Sequence, residues 1–224
     1  MTSDRIRMPD LARGDVGAVV VTQWSAGSPE RQQEKVEQMF ARLERVPWPP
    51  EIISFNALVS TDGDTVLTYT QCGGEAESRL VAEVTDAEPV EYRLYRGGSR
   101  DDRPVPGCIV VVSVEFDGPD QQRQRRWVDT VFAAMAAETE PHPGGISGHF
   151  HLSTDGTKVL NYAEWIDEDS HRDALAKSGR GTVGTAPEWR DVQEFPGVKS
   201  SGFQRYRLLR SATGSSATGR PAHG

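Results

Sequence analysis

Residues 18–24 run Ala-Val-Val-Val-Thr-Gln-Trp, a β-branched apolar stretch that reads as a buried strand. Ala26-Gly27-Ser28-Pro29 stops it, with Ser28 placed to cap a helix and Pro29 at the first helical position. Val36, Met39, Phe40, Leu43 and Val46 then recur at the spacing of one helical face, among Glu, Gln and Arg. Pro47 to Pro50 end that helix. An apolar run over 53–60, an Asp62-Gly63 hairpin turn and a Val-Leu-x-Tyr strand follow, then a short helix over 75–84 and a closing strand. The predicted order is β-α-β-β-α-β.

The whole pattern then returns. Ser60-Thr61-Asp62-Gly63-Asp64-Thr65-Val66-Leu67-Thr68-Tyr69-Thr70-Gln71-Cys72 reappears 93 residues later as Ser153-Thr154-Asp155-Gly156-Thr157-Lys158-Val159-Leu160-Asn161-Tyr162-Ala163-Glu164-Trp165, identical at seven of thirteen positions. The run at 18–24 is answered by 110–116, and Tyr92-Arg93-Leu94-Tyr95-Arg96 by Tyr206-Arg207-Leu208-Leu209-Arg210. The helical face returns as Val128, Val131, Phe132 and Met135. The acidic residues Asp167, Glu168 and Asp169 suit the start of a later helix. We read a duplicated domain, with a first copy at 16–97, a linker at 98–106 and a second copy at 107–210. Residues 1–15 lack periodicity and 211–224 are a small-residue tail, so both ends are expected to be mobile. The fold class is α+β: two tandem ferredoxin-like units, each with a bare sheet face. The units cover these faces by packing sheet on sheet, as an intramolecular pseudodimer α/β-barrel.

Charge narrows the function. With 25 Lys and Arg against 33 Asp and Glu, the net charge is -8, and no basic stripe favours nucleic acid or an anionic membrane. Cys72 and Cys108 occupy non-equivalent places and form no metal or redox motif, which fits a reducing cytoplasm. No apolar run reaches the length of a membrane span or a secretory signal.

The copies differ where chemistry could reside. Alternation along 157–165 puts Val159, Asn161, Ala163 and Trp165 on one face of a strand, and Lys158, Leu160, Tyr162 and Glu164 on the other. On the preceding strand His149, His151 and Ser153 share a face, and a hairpin through Asp155-Gly156 is expected to bring both imidazoles beside the amide and the indole. The first copy has Thr68, Cys72, Leu58 and Asn56 at the matching positions. A strand Trp is ordinarily core and a lone strand His ordinarily solvated. A set of four, absent from a repeat that keeps the scaffold, points to a site. Residues 178–202 are extra in the second copy and include Trp189, which is either a plug on its own domain or part of a lid over a pocket.

The strand at 110–114 leading into a helix, the run His149-Phe150-His151-Leu152-Ser153-Thr154-Asp155-Gly156, and Asn161-Tyr162-Ala163-Glu164-Trp165 together resemble the antibiotic biosynthesis monooxygenase family of dimeric α/β-barrels. The resemblance spans most of the second copy and, in degenerate form, the first. Members acting on aromatic polyketides are the most similar. For this chain the resemblance implies oxidation of an electron-rich polycyclic phenol or anthrone with O2 as co-substrate, without metal, flavin or haem. It assigns catalytic roles to Asn161 and Trp165 and, more loosely, to His151 as proton acceptor. His149, His171 and Trp189 are the expected substrate contacts, His171 lying six residues after the Trp, where some relatives have Tyr. An aromatic polyketide cyclase and a non-catalytic polyketide-binding protein are the alternatives. Haem-degrading relatives carry an Asn on the first strand that 110–116 lacks. The expected partner is a small polycyclic aromatic molecule, with further pairing of two chains left open.

Overall fold

The computed structural model describes residues 8–74, 76–140 and 142–214. The first copy contributes β1 (Ala18–Ser25), α1 (Pro29–Leu43), β2 (Ile52–Ser60), β3 (Thr65–Cys72), α2 (Ser78–Thr85) and β4 (Val90–Ser99). The second contributes β5 (Cys108–Phe116), α3 (Gln121–Ala137), β6 (Gly145–Ser153), β7 (Lys158–Trp165), α4 (Glu168–Ser178), a short α5 (Trp189–Gln193) and β8 (Val198–Thr213). The eight strands close into one barrel in the order β1-β3-β2-β8-β5-β7-β6-β4. Each copy thus supplies four neighbouring strands, and the two sheets join edge to edge where β4 pairs with β6 and β8 with β2. This corrects the expectation of two sheets packed face to face. The edges are consumed by pairing, and the inner faces curl around a common core.

That core draws on both copies: Val19, Val21, Leu58, Leu67 and Tyr69 meet Ile109, Val111, Leu160, Tyr162 and Tyr206. Leu11 is buried in the same cluster, and the Gln71 side chain donates to the Asp10 carbonyl at 2.8 Å. Residues 8–15, expected to be mobile, therefore pack on the barrel. The linker and tail also shift, because β4 runs through Ser99 and β8 through Thr213. Residues 1–7 and 215–224, the rest of the predicted mobile ends, lie outside the described residues.

The helices pack on the outside of the barrel, α1 and α2 over the first copy and α3, α4 and α5 over the second. Ser28 and Asp120 cap α1 and α3 by accepting from the backbone N–H three residues on. The repeated Ser-Thr-Asp-Gly has a structural cause. Gly63 and Gly156 adopt φ of 86° and 78°, and the Ser60 and Ser153 hydroxyls donate to Asp62 and Asp155. A buried glutamine clamps each hairpin: Gln32 donates to Ser60 and the Thr65 carbonyl, and Gln124 to Ser153 and the Lys158 carbonyl. The strongest sequence repeat is therefore turn architecture common to both copies.

Strand pairing also refines the equivalence of the copies. Ala18 pairs with Cys72 as Cys108 pairs with Trp165, so β1 matches β5 two residues earlier than the apolar runs alone indicate. A shift of two keeps every side chain on its face.

Candidate active site

On β7 the faces are as the alternation predicts. Leu160 and Tyr162 enter the barrel core, while Asn161, Ala163 and Trp165 turn outward beneath the helices. Between this outer face and α3, α4 and the 179–197 segment lies a cavity of about 740 Å3. Val110, Val112, Gly148, Phe150, Asn161, Ala163 and Trp165 form its floor. Trp127, Val131, Phe132 and Met135 of α3, His171 and Leu175 of α4, and Val183 and Trp189 form the walls. Asn161, Trp165, His171 and Trp189 are thus brought together around one cavity.

His149 and His151 are not. Phe150 pairs with Asn161 and His151 with Leu160, so both imidazoles face into the barrel, on the opposite side of the sheet from the cavity. The expectation failed on parity: an even-length hairpin loop pairs odd positions with even ones, and His151 cannot share a face with Asn161. His151 is 1% exposed and its Nε2 lies 3.0 Å from the Tyr69 hydroxyl. Burial, reinforced by the neighbouring His149, pushes it down to about 4; burial and then Arg103 do the same to His149. An imidazole so placed is not poised to take a proton near neutrality.

Three side chains bring N–H donors to the cavity: Asn161, Trp165 and His171. Among the described residues the Asn161 side chain has no hydrogen-bond partner, and the Trp165 indole N–H has none either. The Arg205 Nε donates to His171 Nδ1 at 3.0 Å. A guanidinium can only donate, so Nδ1 carries the lone pair and the neutral ring bears its proton on Nε2. Burial, then Arg205 and His142, push His171 down to about 4, which keeps it neutral. His171 stands edge-on to Trp165, with ring centroids 4.9 Å apart. His142 sits 5.8 Å from the Trp165 ring, and its Nδ1 accepts from the Gly144 N–H at 3.2 Å, so it too presents Nε2–H when neutral.

The first copy fills the matching space. Strand register makes Phe55 the counterpart of Gly148, and Phe55 packs edge-on against Phe40 at 5.6 Å. Thr68, the counterpart of Asn161, spends its hydroxyl on Thr22 at 2.6 Å, and Cys72 is fully buried. Gly148 lacks the ring that fills this space in the first copy.

Gly148, Trp127, Glu138, His142 and Arg205 escaped the sequence reading. Trp127 was legible, because it precedes Val131 and Met135 at helical spacing, and Gly148 against Phe55 was visible in the aligned repeats. Arg205 and Glu138 carried no local signal. Among the described residues no three His, Cys, Asp or Glu side chains converge as a metal site, and no helix is long and apolar enough to cross a membrane.

No family model matches the chain. It is 36% identical over 69 residues to tetracenomycin-F1 monooxygenase of Streptomyces glaucescens, a match covering 31% of this chain and 60% of that protein. The chain therefore spans less than two thirds of the curated relative it matches. Among solved structures it is similar to an anthrone oxidase-like protein, with TM-score 0.65 and 14% identity over 89% of this chain and 94% of that one. A ferredoxin-fold protein related to antibiotic biosynthesis monooxygenases from Listeria monocytogenes gives TM-score 0.51 and 14% identity over 88% and 97%. At such identities these structures establish the fold. Together the likenesses bear out the resemblance to antibiotic biosynthesis monooxygenases.

Proposed function

We propose that this chain is a monooxygenase that oxidises an electron-rich polycyclic phenol of the anthrone type with O2, in the cavity of the second copy and without a resident cofactor. The observation that carries the reading is the meeting of three N–H donors, Asn161, Trp165 and His171, beside the apolar and aromatic side chains of Val110, Val112, Trp127, Phe132 and Phe150. The similarity to tetracenomycin-F1 monooxygenase supports the reaction class.

Such donors serve a substrate that becomes anionic. An anthrone that loses a ring CH2 proton delocalises the charge onto its carbonyl oxygen, where preorganised N–H groups stabilise it in a site shielded from water. The resulting electron-rich carbanion reduces O2. One oxygen atom becomes the new quinone carbonyl and the other leaves as water, with both CH2 hydrogens. The imidazole lone pairs in the cavity are already engaged, so His171 acts as a donor that makes the substrate more acidic by stabilising its anion, and the proton leaves to solvent. This replaces His151 as base in the proposed mechanism.

In the same reading the tandem units descend from one unit of a dimeric barrel. The second copy kept an open site, and the first became scaffold. The protein would act in the cytoplasm on a small molecule, with no role for nucleic acid or membrane. The test is oxygen uptake by the purified, metal-chelated protein with dithranol, a tricyclic anthrone. One O2 consumed per quinone formed is expected. Ring closure of a polyketide chain without O2 consumption would identify a cyclase, and tight binding without turnover would overturn catalysis altogether.

A further inference from the structure

The segment 179–197 joins α4 to β8, where the first copy needs only residues 86–89 between α2 and β4. Ala186, Trp189 and Val192 pack against α3, and the segment's polar anchor lies just beyond that helix. Glu138, immediately after α3, accepts from the Trp189 indole N–H at 2.8 Å and from the Ala186 backbone N–H at 2.7 Å through one carboxylate oxygen. Its other oxygen accepts from the Thr185 hydroxyl at 3.4 Å. Gly184 threads between the partners: a Cβ there would lie 2.1 Å from the Glu138 carboxylate and 2.3 Å from the Trp189 nitrogen. The first copy has Val46 at the position matching Glu138, so the anchor and the segment occur together in the second copy alone. Because Glu138 takes up the indole N–H, Trp189 offers the cavity only its apolar ring.

We propose that the Glu138-anchored segment is the specificity determinant of this cavity, holding Trp189 as a flat apolar wall that selects substrates by the number of fused rings. Glu138 acts as a positioning residue, and selection arises because apolar contact with a fixed aromatic wall grows with ring area, whereas a mobile wall gives up that contact to ordering entropy. The inference rests on the proposed site but not on its chemistry.

The experiment compares wild type, Glu138→Ala, Glu138→Gln and Gly184→Ala. Wild type should favour a tetracyclic naphthacenone over tricyclic dithranol by about three- to tenfold in kcat/KM. Glu138→Ala and Gly184→Ala should bring that ratio close to one and speed tryptic cleavage after Arg180 and Arg190, both exposed on the segment, by about tenfold or more. Glu138→Gln keeps an acceptor oxygen and should restore both. Where no anthrone is turned over, Kd values for the matching tricyclic and tetracyclic quinones, read by quenching of Trp fluorescence, make the same comparison and separate this inference from the oxygenase reading. Faster cleavage with an unchanged ring preference would overturn the proposal, as would cleavage and preference both unmoved in Glu138→Ala.

Discussion

Gly148→Phe writes the first copy's residue into the second and should make the protein more stable and less active. Gly148 does not adopt a left-handed φ, and a Cβ there would meet Asn161 Oδ1 at 3.5 Å and Phe150 Cε2 at 3.7 Å, both ordinary contacts. The backbone therefore accepts a side chain, and the cavity accepts the ring. Burying a Phe side chain contributes about 1.5–3 kcal/mol, and removing a strand glycine roughly 0.5–1 kcal/mol more. Imperfect fit against Phe132 and Phe150 offsets about 1–3 kcal/mol of this. The net gain is on the order of 1 kcal/mol, which for a chain of this size raises Tm by about 2–4 °C.

The same ring occupies the floor beside Asn161, where a substrate ring must lie. Losing a ring's worth of apolar contact costs about 1.5–3 kcal/mol, roughly ten- to 150-fold in kcat/KM for dithranol oxidation. Calorimetry and oxygen uptake on one preparation read both effects. The converse control is Phe55→Ala, which opens a cavity in the first copy and should cost about 3–5 kcal/mol of stability without changing turnover per folded molecule. A Gly148→Phe protein that melts normally and keeps its kcat/KM would refute the placement of the substrate. One that loses as much stability as Phe55→Ala would refute the cavity itself.

How much was legible follows from which interactions are local. Caps, helix faces and hairpin turns are set by residues within a few positions of one another, so Ser28, Asp62-Gly63 and the Val36 to Leu43 stripe could be read directly. The outward face of Asn161 and Trp165 was equally available, because alternation within one strand needs no partner. What crossed between strands was less secure. The mistaken grouping of His151 with Asn161 came from carrying a face across a hairpin without counting the loop, and one residue of parity sends a side chain through the sheet. Met135 was expected in the buried face of α3 but is 43% exposed at the cavity, because the helix lies over a hollow instead of a filled sheet. Arg205 and Glu138 act 34 and 51 residues from their partners, His171 and Trp189, and nothing in local pattern encodes such pairs.

Three further outcomes test the site and its setting. Asn161→Ala should lower kcat for dithranol by roughly thirty- to a thousandfold, the cost of one lost oxyanion donor at about 2–4 kcal/mol. Thr68→Ala should instead lower Tm through the lost Thr22 hydrogen bond and leave kcat alone, and equal kinetic losses in the two variants would sink the one-site reading. Arg205→Met removes one cause of the depressed His171 pKa, so the ring should titrate above 4 by NMR while burial still holds it below the ordinary value, and a ring still titrating at 4 would show that Arg205 does not contribute. The pH dependence of stability follows from three imidazoles. His149, His151 and His171 all lie near 4 in the folded protein against an ordinary 6.5, burial being the largest cause for each. Between these values the unfolded chain binds more protons than the folded one, so stability rises with pH across the window and is lost as pH falls from about 6.5 towards 4. Denaturant midpoints measured across that window should decline steadily with acid, and His151→Phe, which removes the most deeply buried of the three, should flatten the decline. An unchanged slope in that variant would mean that His151 is not held neutral by burial in the barrel.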